Sequence, residues 1–207
     1  LQCGNTSRGL AIRAFEDQFT HTIPTGFKAL YAANLPEVTI TDPGEHFNAV
    51  GYTGDGTAIG SGGNAITGVG FSSDFTWIKN RDQADSHMLF DAIRGATKVL
   101  HSDSTAAETT ESETLDSFDS DGFTVGSDVE VNTNTEDYIS WNWKAGGAGV
   151  ANTDGTISST VSVNDDAGFS IVYVASGGGA AGTIGHGLSA PPEMIINKNL
   201  ADAVNWV

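Results

Sequence analysis

Tyr138-Ile139-Ser140-Trp141-Asn142-Trp143 decides the fold class, because large apolar side chains at 139, 141 and 143 alternate with small polar ones at 140 and 142. A period of two places Ile139, Trp141 and Trp143 on one face of a strand, opposite Ser140, Asn142 and Lys144. The same alternation runs through Phe75-Thr76-Trp77-Ile78-Lys79. Phe169-Ser170-Ile171-Val172-Tyr173-Val174 reads as a further strand, bounded by Gly168 and the glycine cluster from Gly177. Turn signals rich in Gly, Ser and Thr recur about every 8–12 residues, the spacing of many short strands. Ser86 to Leu100 reads as two strands around Gly95, since Ile93, Thr97 and Val99 are β-branched and disfavour helix. Thr105 to Leu115 is either one helical turn or a long loop. The fold expected is all-β: antiparallel β-sandwiches in tandem, with minimal helix.

Three segments follow from the punctuation. Residues 1–36 form one unit with its linker, and prolines at Pro24 and Pro36 mark a domain edge there. Residues 37–150 form a β-sandwich repeat, opened by Pro43-Gly44 and closed by Lys144-Ala145-Gly146-Gly147-Ala148-Gly149, which reads as a flexible hinge. Residues 151–207 start a second, truncated repeat, so the chain reads as a piece of a longer one. An internal echo supports this division. Ile66 to Asn80 lines up without gaps over Gly185 to Asn199, and Phe47 to Gly54 lines up more loosely over Phe169 to Ser176. The offset of about 120 residues is too long for a solenoid coil and suits tandem β domains.

Charge excludes several partners. The 207 residues carry 26 acidic against 9 basic side chains, a formal net charge of -17. Such a surface repels nucleic-acid phosphate and anionic headgroups, and no cluster of Lys and Arg offsets it. Neither nucleic acid nor membrane insertion is expected, and the apolar runs are too short to span a bilayer. Between Lys98 and Lys144 there is no Lys or Arg, a stretch that reads as a solvated face or as a cation-rich interface. Cys3 is the single cysteine, so no intrachain disulfide and no Cys-based zinc site can form.

The residues carrying the echo also resemble a known family. Tyr52-Thr53-Gly54-Asp55-Gly56, Ile66-Thr67-Gly68-Val69-Gly70-Phe71 and Trp77-Ile78-Lys79-Asn80-Arg81 are similar to repeats in marine and environmental bacteriophage tail-fibre proteins. So are Phe90 to Lys98, Phe118-Asp119-Ser120-Asp121-Gly122-Phe123 and Trp141 to Gly147. Those repeats resemble concanavalin A/laminin-G-like jelly rolls and commonly follow a SPRY-like β domain, whose end Pro24 to Pro36 resembles. Two departures are the expanded loop from Ala58 to Asn64, and Asn142, where a small residue or Cys is more usual. The resemblance implies a virion structural protein on the particle exterior, in the tail as a fibre or fibre-associated component. It further implies other virion proteins as partners, a homo-oligomer by analogy a trimer, and host-surface attachment through a glycan. It carries over no catalytic residue, and no enzyme is expected. A carbohydrate-binding module of a bacterial adhesin and a polysaccharide depolymerase are the competing readings.

Motifs with chemical content are few. Gly177-Gly178-Gly179-Ala180-Ala181-Gly182 satisfies G-x-G-x-x-G, yet Pro191-Pro192 and the intervening glycines forbid the helix that must receive a pyrophosphate. Asp116, Asp119 and Asp121 precede Gly122 at a spacing that would tolerate calcium, or they form a hydrophilic turn; the twelve-residue EF-hand pattern is absent. His21, His46, His87, His101 and His186 are scattered, with no metal-ligand spacing. No nucleophile elbow occurs. Trp77, Trp141, Trp143 and Trp206 suit either sugar stacking or a core. Trp141 and Trp143 share a face with Ile139, while Trp77 and Trp206 hold similar places in the two halves of the echo. Both facts favour inward packing.

Overall fold

The computed structural model describes residues 2–6, 9–13, 21–28, 40–175 and 181–207, the first two ranges by backbone alone. The chain divides into two compact units, Leu1–Thr41 and Asp42–Val207. In the first unit β1 (Gln2–Thr6) and β2 (Gly9–Arg13) form an antiparallel hairpin, Gln2 opposite Arg13. Phe27 N–H donates to the Pro24 carbonyl at 3.0 Å and closes a turn there. The sequence expected to end a SPRY-like domain lies largely in residues 29–39, outside those described.

The second unit is built from twelve strands among the described residues: β3 (Phe47–Thr53), β4 (Asn64–Thr67), β5 (Phe75–Asn80), β6 (Met88–Asp91), β7 (Lys98–His101), β8 (Thr109–Thr110), β9 (Leu115–Asp119), β10 (Gly122–Val125), β11 (Asp137–Trp143), β12 (Val150–Asn152), β13 (Ser159–Asn164) and β14 (Phe169–Tyr173). They form a six-stranded sheet in the order β3-β11-β5-β6-β7-β8, a three-stranded sheet β4-β10-β9, and another of β12-β13-β14. Every ladder is antiparallel. The all-β expectation holds, and among the described residues helix is limited to short turns, the α-helical one being α1 (Val129–Asn132). Segments 42–150 and 151–207 lie within this one compact unit.

The first two of these sheets enclose one core. Ile66, Leu115, Phe123 and Val125 come from the three-stranded sheet; Ile78, Met88, Phe90, Val99 and Tyr138 come from the six-stranded one. Their apolar area, removed from water, is the main favourable term holding the two layers together. Ser86 to Leu100 forms β6 and β7 as expected, with Gly95 at φ +104° in a conformation that other residues adopt only under strain. Arg94, with a nearly buried side chain, caps that turn by pairing with Asp91 and with Glu108 at 3.1 Å.

Two tyrosines tie α1 to the core. Tyr52 and Tyr138 stack with ring centroids 5.2 Å apart and planes 13° from parallel. The Tyr52 hydroxyl donates to the Val131 carbonyl at 2.8 Å, and the Tyr138 hydroxyl donates to the Val129 carbonyl at 2.7 Å. Burial pushes both phenols above their ordinary range, so they remain neutral donors.

Lys144 to Gly149, expected to be a flexible hinge, is instead fastened. Lys144 N–H donates to the His46 carbonyl, Ala145 N–H to the buried Asp74 carboxylate at 2.7 Å, and Gly146 N–H to Ser162 Oγ at 2.8 Å. Small residues are required here by close approach, since a Cβ on Gly146 would meet the Val163 backbone at 2.9 Å. The composition of a linker and that of a tightly packed crossing are alike.

Carboxylates perform similar fastening elsewhere. Glu113 accepts from the N–H groups of Ile59 and Ser127 and from Ser127 Oγ, which lowers its pKa below the ordinary value of 4.5. Asp55 accepts from Thr57 N–H and Asn132 Nδ2, lowering its pKa below 3.8. A group with a depressed folded pKa adds stability above its unfolded pKa and loses it as pH falls through the folded value. Stability is therefore expected to decline below about pH 4.5. Glu113→Gln should lower the denaturation midpoint at pH 7, and the difference from the parent should shrink once Glu113 is protonated in both states. Phe123→Ala, at a site with 0% exposure, should cost about 3–5 kcal/mol in urea unfolding.

Candidate functional site

The aromatic row identified by alternation lies on the outer face of the six-stranded sheet. On β11, Tyr138, Ser140 and Asn142 are fully buried, whereas Ile139, Trp141 and Trp143 are half-buried. The expectation of inward-packed tryptophans is therefore overturned, and the strand carries its polar residues to the core. The reason is a hydrogen-bonded network that satisfies them. Ser140 Oγ donates to the Val50 carbonyl at 3.2 Å; Asn142 Nδ2 donates to the Asn48 carbonyl at 3.3 Å and to Ser140 Oγ at 3.0 Å. Thr76 Oγ1 donates to Asn142 Oδ1 at 3.1 Å, and Ser73 Oγ lies 2.8 Å from the Thr76 hydroxyl. Among the described residues no buried side-chain polar atom lacks a partner, so the burial of these groups carries little penalty.

With that register, cross-strand pairing assembles the outer row. Trp141 stands between Ala49 of β3 and Trp77 of β5, and Trp143 stands between Phe47 and Phe75. Trp77 meets Trp141 edge-on at 6.1 Å, while Phe47 and Phe75 tilt against Trp143 at 4.9 and 5.3 Å. Phe169 of β14 stacks on Trp143 at 6.2 Å. Trp77 Nε1 donates to His87 Nδ1 at 2.8 Å, which orients the indole. Ala49 and Gly51 are exposed beside this row, so β3 presents a low floor next to Trp141 and Ile139. Aromatic faces flanked by small residues and edged by hydrogen-bonding groups can stack against sugar rings or apolar side chains.

Trp206 does not share the place of Trp77. In the register of the echo it corresponds to His87, and its Nε1–H is shared between the carbonyls of His101 and Ser104 at 3.0 and 3.1 Å. The other sequence candidates do not converge either. Asp121 accepts from the N–H groups of Gly68 and Gly70 at 3.1 and 2.7 Å, holding the β4–β5 turn. Asp119 accepts from Ser117 Oγ and Thr124 Oγ1, and Asp116 projects into solvent from β9. No three His, Cys, Asp or Glu residues form a metal-holding group among the described residues.

The histidines are dispersed: His46 contacts Asn164, His101 pairs with Glu130 at 3.3 Å, and His186 accepts from Leu188 N–H. A cleft of about 330 Å³ beside His186 is lined by Asp154 and the chain from Ile184 to Leu188. Most of the Gly177–Gly182 run, and the Cys3 side chain, lie outside the described residues. No helix among those described is long and apolar enough to cross a membrane.

The family model described as a domain of unknown function, DUF7483, matches residues 42–207, the whole of the second compact unit. The chain belongs to this family. No curated protein and no solved structure matches it. Within this DUF7483 member, the two faces of β11 predict opposite mutational behaviour. Asn142→Ala should cost about 1–3 kcal/mol, because Thr76 and Ser140 lose their buried partner. Trp141→Phe should cost less than about 1.5 kcal/mol in the same denaturant titration.

Proposed function

We propose that this DUF7483 chain is a structural and adhesive β module of a bacteriophage particle, a tail-fibre or fibre-associated component rather than an enzyme. The observation that carries this reading is the order of its motifs, which resembles that of phage tail-fibre repeats. Tyr52 to Gly56, Trp77 to Arg81 and Trp141 to Gly147 fall on β11 and the two strands that flank it, β3 and β5, and in the turns after them. A net charge of -17 suits a module that faces solvent and avoids nucleic acid. Partners under this reading are other virion proteins and further copies of the chain, with weak host contacts strengthened by repetition along a fibre. Antibody against residues 42–207 should label the tail in electron micrographs of particles. Labelling confined to a cellular surface layer would defeat the proposal.

The half-buried aromatic row favours a second reading, a carbohydrate-binding module. On that reading, lipopolysaccharide or capsule from the host binds the chain on a glycan array, and Trp141→Ala weakens binding at least about tenfold, the scale of one lost aromatic stack. Release of reducing sugar from the same glycans would instead identify a depolymerase.

A further inference from the structure

Two indoles near corresponding turns end on acceptors of different kinds. The echo runs at an offset of 119 residues, so Lys198-Asn199 repeats Lys79-Asn80 and Trp206 stands where His87 does. Lys79 Nζ donates to the carbonyls of Asn80 and Gln83 at 2.5 and 2.8 Å; Lys198 Nζ donates to those of Asn199 and Asp202 at 2.6 and 3.2 Å. Asn80 Oδ1 accepts from the N–H groups of Asp82 and Gln83, and Asn199 Oδ1 accepts from those of Ala201 and Asp202. The same Lys-Asn turn thus occurs twice. Beside the second turn, the Trp206 N–H rests on two backbone carbonyls, which do not titrate. Beside the first, Trp77 Nε1 donates to His87 Nδ1 at 2.8 Å. Leu89 stands opposite Trp77, and His87, two residues before it, lies on the diagonal that a large aromatic side chain reaches.

An indole N–H can only donate, so this bond needs a lone pair on Nδ1 and a neutral His87 with its proton on Nε2. A second proton on the ring would occupy Nδ1 and set two N–H groups against each other. The bond therefore exists on the alkaline side of the imidazole titration and is lost on the acid side. The charged groups around His87 come from three places. From the loop after β7, Asp103 Oδ1 accepts from the His87 N–H at 3.2 Å. Burial works to raise the Asp103 carboxyl, but N–H groups of Asp103 and His87, the Ser86 hydroxyl and the charge on His87 outweigh it and hold the group below its ordinary 3.8. Asp103 is thus a carboxylate throughout the range of about pH 5–8 in which histidines change charge, and it supplies a counter-charge for the imidazolium. On β5, the Lys79 ammonium is engaged by its own turn, and in the loop before β6 Asp85 Oδ2 accepts from Asn80 Nδ2 at 2.7 Å. On β7, His101 stands opposite Met88 and pairs with Glu130.

We propose that His87 is a proton-operated switch on Trp77: neutral His87 holds the indole in the aromatic row, and protonated His87 releases it. Trp77 is half-buried and meets Trp141 edge-on at 6.1 Å, so its release changes the surface that a ligand of the row would meet. The inference rests on the row as the candidate surface only for what the switch controls. The switch itself is read with no ligand present, so the two fail separately.

The test follows the four indole N–H signals of the 207-residue chain by NMR from about pH 8 to pH 5, with Trp77→Phe assigning that of Trp77. This window lies above the acid decline expected from Glu113 and Asp55, so the fold is intact throughout. Imidazole nitrogen shifts should show His87 as the Nε2–H tautomer at the alkaline end. The protection factor of the Trp77 N–H against solvent exchange should fall about tenfold as His87 protonates, while that of Trp206 stays level. His87→Asn places a carbonyl oxygen where Nδ1 was and does not titrate, so its Trp77 N–H should stay protected across the range. Three outcomes overturn the proposal: a Trp77 protection factor indifferent to pH in the parent, the same fall in His87→Asn, or an equal fall at Trp206, which would mean that the whole face loosens.

Discussion

The inward-facing polar row of β11 is the constraint on which the rest of the second unit depends. Ser140 and Asn142 lie between β3 and β5, on the strand next to the edge of the six-stranded sheet, and bond to the main chain of one and a side chain of the other. In a low-dielectric interior each such bond is strong when made and costly when broken, so the network admits one register. A slip by one residue would bury Trp141 and Trp143 and strand the amide of Asn142 outside. Fixing that register also fixes where Tyr138 stands. From Tyr138 follow the stack on Tyr52 and the anchorage of α1, which together close one end of the sandwich.

Much of this was legible in the sequence, because strand formation is written in local alternation. β5, β11 and β14 fall where Phe75, Tyr138 and Phe169 begin their runs, and Gly95 divides β6 from β7. The choice of inner face was not legible. Alternation gives two faces, and apolar content normally selects the buried one. Here the selection was reversed by partners far along the chain: Asn48 is 94 residues from Asn142, and Thr76 is 66. The supposed hinge was misread for the same reason, since Ala145 is held by Asp74 across 71 residues. Spacing brought Asp116, Asp119 and Asp121 together on paper. Asp119 is spent on its own hairpin, Asp121 on the distant β4–β5 turn and Asp116 on solvent, because strand geometry sends neighbouring carboxylates in different directions.

The aromatic row is thus a by-product of the polar interior and also the candidate surface. Its rings are fixed from below by the sheet, from the side by His87, and at one end by Phe169. Little ordering remains to be done when a ligand arrives, and preorganised rings lose less entropy on contact than free ones. The acidic groups that give the chain its charge are largely occupied in turns and caps, as at Glu113, Asp55 and Asp121. The charge therefore shapes loops as well as repelling anions.

The Lys-Asn turn has a consequence for the order of events during synthesis. All the bonds that close Lys79 to Gln83, and again Lys198 to Asp202, join residues within four positions of each other. Contacts so local require almost no loop closure, and they form in microseconds, before distant strands can meet. Each turn can thus take shape soon after it leaves the ribosome. The turn at Lys79 would then wait as a nucleus for β11, whose residues are translated about sixty positions later and several seconds afterwards.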